Sequence, residues 1–133
     1  MTELMSSPFR ALPLRNPVVH LELRAHDVAR AAVFYERLFD WTAEIVHAGE
    51  ASYVILGRGN PVEVGIVADE PDGSLWLPYV EVADVHGATE RACLLGATVR
   101  LGPVEGPFGW RSVIAAPLGA EIGLWQPKRL HRS

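Results

Sequence analysis

A chain of 133 residues, 49% apolar and 21% charged, has the balance of a single globular domain with a core, and disorder is excluded on composition. Its net charge of -4, with basic residues gathered only at Lys128, Arg129, His131 and Arg132, argues against a nucleic-acid partner, which requires a dense basic face. No apolar run approaches the ~20 residues of a membrane helix, and Glu3 with Pro8, Pro13 and Pro17 replaces the apolar stretch of a signal peptide, so a cytoplasmic protein without membrane contact is expected.

In chain order, residues 1–16 have no period and read as an N-terminal tail. The domain spans 17–128, and 129–133 form a second tail. Val18 to Arg24 alternate as a strand, with His20, Glu22 and Arg24 on one face and Val19, Leu21 and Leu23 on the other. Asp27 is an N-cap, and Val28, Ala31, Ala32, Tyr35, Leu38 and Phe39 recur at helical spacing up to Asp40. Strands are expected over Thr42–His47, Ala51–Leu56 and Val62–Ala68, separated by turn residues.

After Glu70–Ser74 the same order returns. Leu75–Val82 is a strand, Asp84 caps a helix that ends at Gly96, and strands follow near Thr98–Leu101, Ser112–Ala115 and Glu121–Trp125. Cys93, on that second helix, is expected as a small buried hydrophobe. Asp27-Val28 matches Asp84-Val85 at an offset of 57, and Glu63-Val-Gly-Ile66 matches Glu121-Ile-Gly-Leu124 at 58, which marks a duplicated unit. The fold class is therefore α+β: two βαβββ modules, about 18–69 and 75–127, form a curled mixed sheet with a helix outside each, and the concave faces make a cup.

The openings Val19-His-Leu-Glu-Leu23 and Trp76–Asp84, the helix Phe34-Tyr-Glu-Arg-Leu-Phe-Asp-Trp41, the exit Leu95–Val99 and the closing Gly123-Leu-Trp-Gln126 carry a resemblance over about Val18 to Pro127. On these residues the chain resembles the vicinal oxygen chelate superfamily, which includes glyoxalase I, extradiol dioxygenases, and fosfomycin and bleomycin resistance proteins. The resemblance implies a bacterial-type homodimer. In metal-using members, ligands enter the cup from the first and last strand of each module; the matching positions here are His20, Gly65, Leu77 and Gly123. Only His20 carries a donor, where catalytic sites ordinarily use about three, so no metal cofactor is expected. Glu63 and Glu121 each precede a missing position by two residues, ~6.6 Å along a strand, too far for the same ion.

The polar face of the first strand, with Leu77, Tyr79 and Glu81 opposite, is assigned to the cup. His20 beside the Glu22 carboxylate reads either as a general base with Tyr79 as hydrogen-bond donor, or as a wall residue facing a ligand's polar edge. Arg24 is either an ion-pair partner of Glu22 at the rim or a grip for a ligand carboxylate. Gly102–Trp110, with three glycines other than none at its ends and two prolines, reads as a hinged loop whose Phe108 and Trp110 cover the ligand, with Tyr53 and Trp125 as deeper walls and Glu121 at the cup. Two functions stand open. One is a module that binds a small aromatic or natural-product ligand; the other is a lyase, isomerase or dioxygenase that uses His20 with a carboxylate or a displaced metal.

Overall fold

A computed structural model of the chain describes residues 15–48, 51–68 and 75–128. The expected tails at 1–14 and 129–133, and the break at 69–74, lie outside the described residues. In order come β1 (Val18–Ala25), α1 (Val28–Phe39), β2 (Ala43–Ala48), β3 (Ala51–Leu56), β4 (Glu63–Ala68), β5 (Leu75–Glu81), α2 (Val85–Leu94), β6 (Thr98–Glu105), β7 (Gly109–Ala115) and β8 (Glu121–Pro127). The strands join in one eight-stranded curled sheet, ordered β2-β3-β4-β1-β5-β8-β7-β6. Within each half the first and last strands run parallel, β1 with β4 and β5 with β8, and the halves meet along an antiparallel β1–β5 seam.

Each helix starts on the aspartate expected of it. The Asp27 carboxylate accepts from Arg30 N at 3.1 Å, and that of Asp84 accepts from His86 N and Gly87 N, each at 3.1 Å. These bonds satisfy amides that have no partner inside the helix. Val85 N, also in the first turn of α2, donates to Gln126 Oε1 at 2.8 Å and ties that helix to β8. At the far end, Ala97 N bonds to Ala92 O and Gly96 N to Cys93 O, with Gly96 at φ +103°. This is the Schellman arrangement, and its left-handed residue explains glycine there.

The helix-covered face holds two apolar clusters. Under α1 lie Leu23, Ala25, Ala32, Leu56, Val64 and Ile66; Leu56 and Ile66 are wholly buried. Under α2 lie Val85, Ile114 and Leu124. Each large aliphatic residue removed from water here stabilises by about 1.5–3 kcal/mol. Cys93 corrects the expectation made for it: it is exposed, because the buried stripe of α2 runs through Val85 and Thr89 instead. The outer side of α1 leaves Val33, Phe34, Leu38 and Phe39 exposed, and a hollow of about 670 Å³ runs along it. Among the described residues, no helix is long and apolar enough to cross a membrane.

The second half departs from the expected boundaries in one place. β6 continues through Pro103 to Glu105 and β7 begins at Gly109, so the supposed hinged loop is mostly strand, closed by the short Gly106–Phe108 turn. Shifts in pairing register on either side of Leu101 accommodate the proline, which cannot donate to a ladder.

Candidate functional site

Alternation along five strands gathers the polar side chains on the face away from both helices. β1 contributes His20, Glu22 and Arg24; β4 contributes Glu63 and Gly65; β5 contributes Leu77 and Tyr79. β7 contributes Arg111, and β8 contributes Glu121, Gly123 and Trp125. The ladders set these side by side: His20 pairs with Glu63 on one flank and Tyr79 on the other, Glu22 with Gly65 and Leu77, and Tyr79 with Gly123.

Glu22 is the hub of the network. It is only 8% exposed, and its Oε1 lies 3.3 Å from Arg24 Nε while its Oε2 lies 3.7 Å from Arg111 Nη1. Arg111 Nη1 donates to the Tyr79 hydroxyl oxygen at 2.9 Å, and that hydroxyl in turn faces Glu22 Oε1 at 3.4 Å. Arg24 reaches on to Glu121 at 3.8 Å, and Glu121 to Arg100 at 3.3 Å. Burial opposes the charge on Arg24, yet its hydrogen bond to Glu22 and the carboxylate's charge outweigh that and hold its pKa above the ordinary value. Burial, with Glu22 beside it, pushes the Tyr79 phenol up, so the hydroxyl keeps its proton.

His20 stands apart from this hub. Its Nδ1 lies 3.3 Å from Glu63 Oε1, and its ring meets Tyr79 edge-on at 5.6 Å between centroids. Burial lowers its pKa; the Glu63 and Glu22 carboxylates oppose that shift and the Arg111 charge adds to it. The imidazole is therefore neutral at neutral pH.

The expected roles change accordingly. The carboxylate that meets His20 is Glu63, not Glu22, because the β1–β4 register puts residue 63 directly beside residue 20. The Glu22–Arg24 pair forms as expected but is buried rather than at a rim. Leu77 is wholly buried and packs with Tyr79, Val113, Leu101 and Trp125. Trp125 thus lies on the polar face, as does Tyr53, which is half-buried and whose phenol is pushed up by burial and by the nearby Glu63 charge. Trp110 corrects the lid reading: it sits on the opposite face, packed into the cluster under α2 with Lys128 Nζ 5.4 Å above its ring. Phe108 is exposed at the β6–β7 turn, where its carbonyl accepts from Lys128 N.

Arg111 is the residue that sequence reasoning missed. Its signal was available, since in Gly109–Ala115 it alternates with Trp110 and Ser112 and is the one charged residue of an otherwise uncharged strand.

The four positions at which relatives of this fold hold a metal do not fit an ion here. A Cβ built on Gly65 would lie 3.1 Å from His20 Cε1, and one on Gly123 would run into the Tyr79 ring. Leu77 offers no donor atom, and the nearest carboxylate, Glu22, already faces two guanidiniums. No cluster of three or more His, Cys, Asp or Glu side chains suited to a metal occurs among the described residues.

Comparison with known proteins agrees with this architecture. A family model described as a glyoxalase-like domain matches residues 19–125. The glyoxylase-like protein CFP32 of Mycobacterium tuberculosis is 30% identical over 118 residues, covering 82% of this chain and 45% of that protein. The anthracycline biosynthesis protein DnrV of Streptomyces peucetius is 25% identical over 123 residues, covering 79% of this chain and 45% of its own. The chain thus spans about half the length of the curated relatives it matches. Among solved structures, methylmalonyl-CoA epimerase of Mycobacterium tuberculosis superposes with a TM-score of 0.65 over 91% of this chain and 96% of that one, at 16% identity, a likeness of fold alone.

Proposed function

The chain belongs to the glyoxalase-like domain family of the vicinal oxygen chelate fold, and on that premise we propose that it is a metal-independent binding protein whose cup receives a small, planar, natural-product-like ligand. The observation that carries the reading is the buried, mutually satisfied network around Glu22. Three carboxylates, Glu22, Glu63 and Glu121, lie among three guanidiniums, Arg24, Arg100 and Arg111, with a neutral histidine alongside. Such a floor is close to electroneutral. It suits a ligand with polar edges and an apolar body, laid against Trp125 and Tyr53, better than a polyanion or an ion. The name of DnrV supplies the natural-product class.

Titration with an anthracycline, followed by tryptophan fluorescence and calorimetry, tests the reading. Micromolar binding is expected, weakened about tenfold by Trp125→Ala, which corresponds to ~1.4 kcal/mol. Trp110→Ala, on the other face, should change affinity less than about twofold. Affinity lost with Trp110 and indifferent to Trp125, or a stoichiometric divalent ion in purified protein that vanishes with His20→Ala, would sink the proposal.

A second copy of the chain is the proposed partner. The curated relatives are about twice as long, and the exposed Val33, Phe34, Leu38 and Phe39 present more apolar surface on one helix than solitary residues do. Asp27 and Arg37 lie at opposite ends of the hollow along α1, so two copies related by a two-fold axis can set unlike charges together. Light scattering should give the mass of two chains for the native protein and of one for Leu38→Asp; a native monomer removes the idea.

A further inference from the structure

We propose that His20 is a positioned base for a carbon acid: Glu63 holds its Nδ1–H, Gly65 leaves its Cε1–Nε2 edge clear, and Tyr79 with Arg111 receives the ligand's carbonyl oxygen. The inference rests on the reading of the cup as a ligand site and assigns that site a chemistry.

Three observations converge. First, only one ring nitrogen of His20 has a carboxylate beside it: Nδ1 lies 3.3 Å from Glu63 Oε1. A carboxylate at that atom draws the proton to Nδ1 and leaves the lone pair on Nε2. Second, the neighbour of the other ring edge is a residue without a side chain. A Cβ at Gly65 would stand 3.1 Å from Cε1 and 3.4 Å from Nε2, so even alanine would crowd the edge that glycine leaves open. Third, a proton-bearing phenol and a guanidinium stand across the site. The Tyr79 ring is 5.6 Å from the His20 ring, and Arg111 is bonded to its hydroxyl oxygen while its side chain stays 40% exposed. A small ketone can span that interval.

The groups that face His20 are Glu22 from its own strand, Glu63 and Gly65 from β4, Tyr79 from β5 and Arg111 from β7. Burial, the largest influence on the ring, keeps it unprotonated at neutral pH and so able to accept. The substrate class is an aryl or fused-ring ketone with a hydrogen on the carbon next to the carbonyl. In the step, that C–H bond breaks as an Nε2–H bond forms, and the freed electron pair becomes the enolate C=C while the carbonyl π pair moves to oxygen. The oxygen's charge is met by Tyr79 and Arg111. Return of the proton from Nε2 to the same carbon restores the ketone, with exchange or inversion at that carbon and no other reagent consumed. Glu63 is a positioning residue, since it acts through the imidazole.

Two measurements test the assignment. Nitrogen-15 spectra of histidine-labelled protein report the tautomer without any ligand: at pH 7.5 His20 should carry its proton on Nδ1, lose that preference in Glu63→Ala and keep most of it in Glu63→Gln. Proton exchange of 2-tetralone in D2O, with its binding confirmed by fluorescence, reports the chemistry. Exchange accelerated by the protein should fall about 100-fold in His20→Gln. Glu63→Ala should slow it about tenfold at unchanged ketone affinity, with partial recovery in Glu63→Gln. Bound ketone that does not exchange, or an Nε2–H tautomer in the native protein, overturns the inference alone. Failure of the ketone to bind at all is a failure of the cup reading and takes the inference with it.

Discussion

Gly123→Ala is expected to destabilise the protein by about 2–3 kcal/mol, a large effect for one added methyl group. The new Cβ would run into the Tyr79 ring, and that ring has no room to retreat. Tyr79 is 3% exposed, pinned by its hydroxyl contacts to Arg111 and Glu22 and packed on Leu77 and Val113. The added volume therefore cannot relax without breaking the hydrogen bonds. Thermal unfolding of the single and double variants decides the matter. Tyr79→Ala alone should cost about 3–5 kcal/mol through the cavity it leaves. If the clash is the cause, Gly123→Ala on that background should cost less than about 0.5 kcal/mol. Equal penalties on both backgrounds would place the effect in the β8 backbone instead.

Glu22→Ala should cost about 2–3 kcal/mol, and Glu22→Gln about 1 kcal/mol. Removing the carboxylate leaves Arg24 and Arg111 without the one anion they share, and leaves the Tyr79 hydroxyl without its acceptor. The upper range for a broken buried pair, 3–5 kcal/mol, does not apply, because the Arg111 side chain is 40% exposed and water screens part of its charge. Glutamine preserves the shape and one acceptor oxygen, so the difference between the two variants isolates the charge. Calorimetry should show the Ala variant melting roughly 8–12 °C lower, at about 4 °C per kcal/mol for a chain of this size. Adding Arg111→Ala to Glu22→Ala should recover part of the loss; an unrelieved penalty would mean that Arg111 is not held by Glu22.

Much of this architecture was legible in the residues themselves. The offset of 57 or 58 between Asp27-Val28 and Asp84-Val85, and between Glu63–Ile66 and Glu121–Leu124, marks the duplication. Strand alternation then placed His20, Glu22, Arg24 and Tyr79 on one face, where the structure has them. Two things were hidden for separate physical reasons. Which carboxylate meets His20 depends on the register of β4 against β1, strands about forty residues apart in the chain, and no local pattern reports a long-range register. The roles of Arg111 and Trp110 were obscured together, because Pro103 and the glycines of 102–109 read as a loop. Once β7 is extended back to Gly109, period two sends Arg111 to the polar face and Trp110 beneath α2.

The β1–β5 seam has a consequence for how the molecule holds together. Glu22 and Arg24 belong to the first half, whereas Tyr79, Arg111 and Glu121 belong to the second, so every ion pair of Glu22 with Arg111 or of Arg24 with Glu121 is a stitch across the join. A half-molecule would own unmatched charges of one set or the other. The site and the union of the two ancestral units are thus a single object, and whatever loosens one loosens the other.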